Sequence, residues 1–404
     1  MDKQPLWTRD FIKICLSSLF LFMTYYALVA TLPIFIMDTM RGGEREVGLT
    51  LTFFIIAAVI ARPIAGKWVD ELGKKKVAIL ASALFMLSAF TYAGALSFLF
   101  LLGLRFVHGL SFGFATTAMA AIATDLVPEA RKGEGIGYYA LFMNLAMVIG
   151  PFVGLLIMNT YSFSVLCMLI SVFAIISFVC GGLTKVQEAQ ASVKKRADQK
   201  FHWKNFIEPG AMPISLTACL MSFAYSGLLS FIPVYAKEIG AAEVSSYFFV
   251  IYAVMIVLSR PFTGKLFDRM GEHVVIYPSI ILYAIGLILL SLANGPMLFL
   301  VASAVIGLGY GSVFPSFQAI ALKSAPTERR GVATGTYYLL FDLGMGIGSF
   351  VLGIIASAMN FSSMYLISSL IVAFAGIVYF RLYHQASNRK KLQEKRVTLP
   401  ASGQ

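Results

Sequence analysis

The 404-residue chain is 58% hydrophobic and only 13% charged, with a mean hydropathy of +0.80 and a formal net charge of +12. A water-soluble domain carries about a quarter charged residues, so the composition excludes an ordinary globular enzyme and puts most of the chain in lipid. Nor is the positive charge a nucleic-acid footprint: of the 32 Lys and Arg, only Arg41, Arg45 and Lys237 fall in loops expected outside, the positive-inside asymmetry of a membrane protein whose basic face rests against anionic lipid.

In chain order, apolar spans are predicted at 14–36, 47–69, 77–97, 98–124, 136–158 and 162–183, then at 213–236, 246–266, 274–292, 297–322, 332–358 and 363–380. The expected fold is an all-α membrane protein of twelve transmembrane helices. A first six-helix half occupies 1–183, a cytoplasmic linker 184–212, a second half 213–380 and a basic cytoplasmic tail 381–404. An even number of spans puts both termini on one side, and Lys3, Arg9, Arg389, Lys390 and Lys391 make that side the cytoplasm. The first apolar run, Ile14 to Ile36, exceeds the roughly 7–15 residues of a signal h-region, so no cleavable signal is read there. Cys15, Cys167, Cys180 and Cys219 lie in apolar spans without CxxC spacing, and no metal site or cofactor is expected. Lys194, Lys195, Arg196 and Lys200 mark the linker as either an amphipathic segment on the membrane or a solvated connection.

One stretch recurs. Arg62-Pro-Ile-Ala-Gly66-Lys-Trp-Val-Asp70-Glu-Leu-Gly73 returns as Arg260-Pro-Phe-Thr-Gly264-Lys-Leu-Phe-Asp268-Arg269-Met-Gly271, at a register of 198 residues. The glycines allow close approach of helix ends, the aspartates suit the N-terminal dipole of a neighbouring helix, and the lysines hold the turn on the cytoplasmic side. The same register pairs Gly109 and Gly113 with Gly307 and Gly311, Arg131 with Arg329, and Gly150 with Gly348. Two pseudo-symmetric halves of parallel topology follow, an arrangement that supports rocking about a central site.

This paired turn resembles the signature loops of the major facilitator superfamily, and the resemblance runs from about Phe11 to Phe380. It departs from the usual pattern in carrying Glu71 in the first copy and Glu272 and His273 in the second. Membership would imply the major facilitator fold and a gating role for Arg62, Gly66, Asp70, Gly73, Asp125, Arg131, Arg260, Gly264, Asp268 and Arg269. In the fourth span, Arg105-Phe-Val-His108-Gly109 looks like the motif of the family's proton-coupled members. Two readings of Arg105 stand: a coupling residue, or a side chain near its span end that snorkels to water. His108 is either a hydrogen-bonded core histidine or a proton shuttle. In the fifth span, Gly150-Pro151-Phe-Val-Gly154 looks like the antiporter motif, resembling most the twelve-span drug:proton (multidrug efflux) branch. Close helix packing is the plainer reading of the same residues.

Asp342 is the carboxylate deepest in a span. It lies about ten residues, or ~15 Å, from the start of the eleventh, on one helical face with Gly346, Ser349 and Gly353. Its repeat partner is Asn144. Intramembrane acids mark ion or substrate pathways, so Asp342 is the expected proton carrier, with Arg105 its partner in one conformation. Tyr25, Tyr26, Phe142, Asn144, Tyr225 and Gln318 complete a candidate substrate cavity.

The expectation is therefore a proton-coupled secondary transporter, not an enzyme: a monomeric efflux antiporter for hydrophobic or cationic small molecules in a bacterial-type cytoplasmic membrane, with protons and lipid as its other partners. Transport of sugars or of a metal-chelating metabolite is the alternative. A non-transporting membrane receptor is the remoter one, since no P-loop, nucleophile elbow or metal cluster is present in the sequence.

Overall fold

The computed structural model describes residues 5–95, 97–128, 131–186, 207–326 and 329–385. The linker lysines, most of the tail, and the side chains of Asp70, Asn144, Arg260, Gly264 and Asp268 lie outside the described residues.

With no water to satisfy backbone groups in hydrocarbon, a chain of long apolar runs must bond its amides within each run. Among the described residues, twelve helices long and apolar enough to cross a membrane result. They are α1 (Arg9–Asp38), α2 (Glu44–Leu72), α3 (Lys74–Thr91), α4 (Phe98–Leu126), α5 (Lys132–Thr160), α6 (Phe163–Leu183), α7 (Met212–Glu238), α8 (Ser245–Met270), α9 (Glu272–Ser291), α10 (Pro296–Lys323), α11 (Arg330–Ala358) and α12 (Phe361–Val378). No strand occurs among the described residues. Side-chain caps start several of them: Thr8 Oγ1 accepts from Phe11 N–H at 3.1 Å, and Asn360 Oδ1 accepts from Ser363 N–H at 2.7 Å.

Helices α1–α6 pack mainly on one another, as do α7–α12, and the 198-residue register reappears as matched contacts. A Cβ on Gly109 would lie 2.2 Å from Phe54 O, and one on Gly113 2.7 Å from Ala58 O, which brings α4 against α2. One on Gly307 would lie 2.5 Å from Tyr252 O, and one on Gly311 2.5 Å from Ile256 Cγ1, which brings α10 against α8 in the same way. The motif glycines have a different job from close approach. A Cβ on Gly66 would meet nothing within 4 Å, whereas Gly73 and Gly271 adopt φ of 94° and 90° and make the sharp turns into α3 and α9.

The halves meet through α2 with α11, α1 with α7, and α5 with α8. At the end of the bundle away from the termini they are sealed. Lys237 Nζ reaches both carboxylate oxygens of Asp38, at 2.7 and 2.8 Å. Ser349 Oγ donates to Gly48 O at 3.2 Å, and Thr52 Oγ1 donates to Gly346 O at 2.7 Å. The next polar contact along this seam joins Arg62 to Asp342. Between these two levels α2 advances ten residues, ~15 Å, and α11 only four, ~6 Å, so Arg62 and Asp342 start from different heights along the seam. A long side chain angled toward its own helix N-terminus bridges the gap.

Candidate functional site

Asp342 lies on the face of α11 that packs against α2, as its spacing from Gly346 and Ser349 predicts. Its partner is Arg62: Nη2 sits 2.8 Å from Oδ2. The sequence assigns Arg62 to the gating turn and looks to Arg105 for the acid. The structure instead places the guanidinium of α2 on it, because α2 is the helix that faces α11. The side chains are 31% and 13% exposed, so the pair is only partly enclosed. It is an ionic contact whose angles fall outside hydrogen-bond geometry, and Arg62 Nε and Asp342 Oδ2 have no aligned hydrogen-bond partner. One turn along α11, the Tyr338 ring centroid is 6.0 Å from Arg62 Cζ, and the Tyr338 hydroxyl accepts from Gln318 Nε2 at 3.0 Å. Gln318 thus joins the site through a residue the sequence reading missed. Tyr338 was findable as the aromatic at i−4 from Asp342.

Arg105 occupies a separate pocket inside the first half. It is 1% exposed and does not snorkel. Its Nε donates to Thr50 O at 3.2 Å, its Nη1 to the Tyr92 hydroxyl at 3.5 Å, and its guanidinium lies 4.3 Å from the Phe54 ring centroid. Its partners are therefore a carbonyl, a hydroxyl and a π face, with no carboxylate within ion-pair distance among the described residues. His108 is fully buried beside it, its Nδ1 2.9 Å from the same Tyr92 hydroxyl and its ring 4.1 Å from Phe85. The His108 Nε2 has no partner.

The aromatic candidates sort into two groups at equivalent places. In the first half Tyr25 packs on Phe54 at 4.8 Å and on Phe112 at 5.1 Å, with Tyr26 4.8 Å away. In the second, Tyr225 stacks on Tyr310 at 4.4 Å, and Tyr310 meets Tyr283 at 5.2 Å. Phe54, Phe85 and Phe112 match Tyr252, Tyr283 and Tyr310 at the 198 register, a signal present in the sequence and overlooked there. The hydroxyls of Tyr283 and Tyr310 are buried without partners. Phe142 is half-buried against the core.

Of the remaining residues, Asp125, Arg131 and Arg269 lie at or near the ends of helices. Asp125 of α4 pairs with Lys74 at the start of α3, so it ties two helices of one half together. Arg131 precedes α5 and Arg269 is exposed near the end of α8. Arg329, the repeat partner of Arg131, binds Glu208 at 2.5 Å and fastens the end of the linker to α11. Gly150 and Gly154 pack on α1: a Cβ would lie 2.9 Å from Tyr26 Cβ at the first and 3.1 Å from Ala27 Cα at the second. Among the described residues no group of three or more His, Cys, Asp or Glu is placed to hold a metal ion.

The sequence model of the Major Facilitator Superfamily matches residues 14–349 and again 243–402. The staphylopine export protein of Staphylococcus aureus is 22% identical over 380 residues, covering 89% of this chain and 93% of that protein. The quinolone resistance protein NorA of Staphylococcus aureus is 24% identical over 386 residues, covering 93% and 96%. Among solved structures, a bacterial homologue of the human lysosomal transporter Spinster superposes with a TM-score of 0.78 at 13% identity, over 95% of this chain and 98% of that one. The last likeness is one of fold.

Proposed function

The chain belongs to the Major Facilitator Superfamily, and on that premise we propose that this multi-pass membrane protein is a proton-coupled efflux antiporter, exporting hydrophobic or cationic small molecules by alternating access. The observation that carries the reading is the Arg62–Asp342 pair, which joins the two halves at 2.8 Å. A proton on Asp342 cancels the attraction, and its departure restores it. One titration thus acts on the contact between the moving bodies. With the basic loops on the cytoplasmic side, the end held by Lys237 and Asp38 faces outward.

Asp70 and its repeat partner Asp268 fit a gating role at the turns, and Gly150, Pro151 and Gly154 a close α5–α1 surface over which the states exchange. The names of the relatives support the outward direction. The staphylopine exporter favours a second reading, in which one metabolite is the cargo. Sugars are a poorer fit, since the Gln318 amide already donates to Tyr338 and a dry sugar site needs many such groups. The protein works as a monomer without a cofactor.

The test is flux in proteoliposomes loaded with ethidium. An imposed proton gradient drives ethidium uphill, and a protonophore stops it. Flux that is identical with and without the gradient overturns the reading.

A further inference from the structure

We propose that the Arg62–Asp342 pair, on opening, recognises a zwitterion: a small molecule with a carboxylate and a protonated amine on one apolar frame, the carboxylate bound by Arg62 and the amine by Asp342. This rests on the export reading above and narrows its cargo.

The argument starts from charge balance. The pair is neutral as a unit, and its partners belong to different halves. A simple cation that binds Asp342 strips Arg62 of its counter-charge, and a simple anion that binds Arg62 strips Asp342. Removing one partner of this partly enclosed pair still has a cost, because it leaves a partly desolvated charge alone. A molecule carrying both signs replaces each partner as it displaces it, so neither side chain is left bare.

Atomic detail agrees with the charges. Nη2 of Arg62 lies 2.8 Å from the acid, while Nε is buried and has no hydrogen-bond partner. The Nε edge of a guanidinium is one of its two-donor forks, the geometry that takes a carboxylate bidentately. Asp342 Oδ2 likewise has no aligned donor, and an ammonium brings three rotatable ones. The frame between the two ends has a ring to rest on in Tyr338, backed by Phe314, whose centroid lies 5.0 Å from that of Phe341. The other two candidate regions lack these properties. Arg105 is sealed and supplied with donor-acceptor partners, and the tyrosine cluster around Tyr310 carries no charge. A zwitterion held this way also bridges the halves as the ion pair does, so the two bodies can exchange positions with every charge matched.

The experiment uses the full chain in lipid nanodiscs and one skeleton in four ionic forms: 2-naphthylalanine, its methyl ester, its N-acetyl acid and its N-acetyl methyl ester. Dissociation constants come from equilibrium dialysis at neutral pH. The free amino acid is expected to bind at least tenfold tighter than each blocked form. Arg62→Gln removes the advantage over the ester, and Asp342→Asn removes the advantage over the N-acetyl acid. The exchanged pair, Arg62→Asp with Asp342→Arg, keeps the preference for the free amino acid, which a merely structural latch would not produce. Every variant is checked for a monodisperse gel-filtration peak. Equal binding of the four forms, preference for the ester, or no binding of the free amino acid overturns the proposal. Proton-driven flux of ethidium and of the free amino acid, each measured with the same variants in proteoliposomes, separates the two readings. Proton-driven flux of either without zwitterion preference sinks this inference alone, and zwitterion preference with no proton-driven flux of either sinks the antiport reading alone.

Discussion

The α2–α4 region and the α8–α10 region occupy equivalent places in the two halves, and they solve one packing problem with different chemistry. In the first, Arg105 Nε donates to Thr50 O at 3.2 Å; in the second, Ser303 Oγ donates to Phe248 O at 2.5 Å. Arg105 and Ser303 share a register position, and so do Thr50 and Phe248. A serine is therefore enough to hold α10 to α8, and the positive charge of Arg105 is additional to the equivalent job between α4 and α2. The rings around the charge differ in the same sense. Phe54, Phe85 and Phe112 offer π faces to a cation and a histidine, whereas Tyr252, Tyr283 and Tyr310 replace them where no cation sits. Arg62 and Arg105 stand in the first half and Asp342 in the second, and the Arg62–Asp342 contact joins opposite charges across halves whose packing is merely repeated.

The comparison is broken most severely at that acid. Asp342→Asn is expected to abolish proton-driven ethidium accumulation in proteoliposomes, at least a tenfold loss, while downhill exchange continues. Full accumulation by this variant would shift proton carriage to His108 or Asp125.

Arg105→Met comes next and tests stability. Loss of charged hydrogen bonds to Thr50 and Tyr92 and of the contact with Phe54 should cost about 2–4 kcal/mol, read as a lower unfolding midpoint in nanodiscs. Arg62→Gln should cost less, because a partly exposed Asp342 can take up a proton; the reverse order would mean that the inter-half pair, and not Arg105, is the structural one.

Gly150→Leu probes a contact that both halves repeat at Gly348. Its added side chain meets α1 at a place already within 2.9 Å of Tyr26 Cβ, and overpacking of this kind costs about 1–3 kcal/mol. Normal stability together with normal transport would show that α5 and α1 separate more easily than their spacing implies. Ser303→Ala is the mildest change. It removes one neutral hydrogen bond, worth about 1 kcal/mol, and should leave flux unchanged. A loss as large as that of Arg105→Met would erase the distinction between packing and charge on which the comparison rests.

Periodicity and composition alone determined the helices, their number and the two-fold repeat, because a bilayer leaves an apolar run no structure but a helix and a duplicated sequence repeats its small residues where helices cross. Asp342 was legible for the same reason: a carboxylate in the middle of an apolar run stands out whatever surrounds it. Its partner was not. Arg62 stands 280 positions away in the sequence, in a motif whose glycines and aspartate suggest a turn, and only the docking of α2 on α11 brings its guanidinium to the acid. The solitude of Arg105 was equally hidden, since a carbonyl of Thr50 and a hydroxyl of Tyr92 leave no mark in a residue pattern. Spacing reports which face of a helix a residue occupies; which other helix meets that face, and at what level, is set by the packing of the whole bundle.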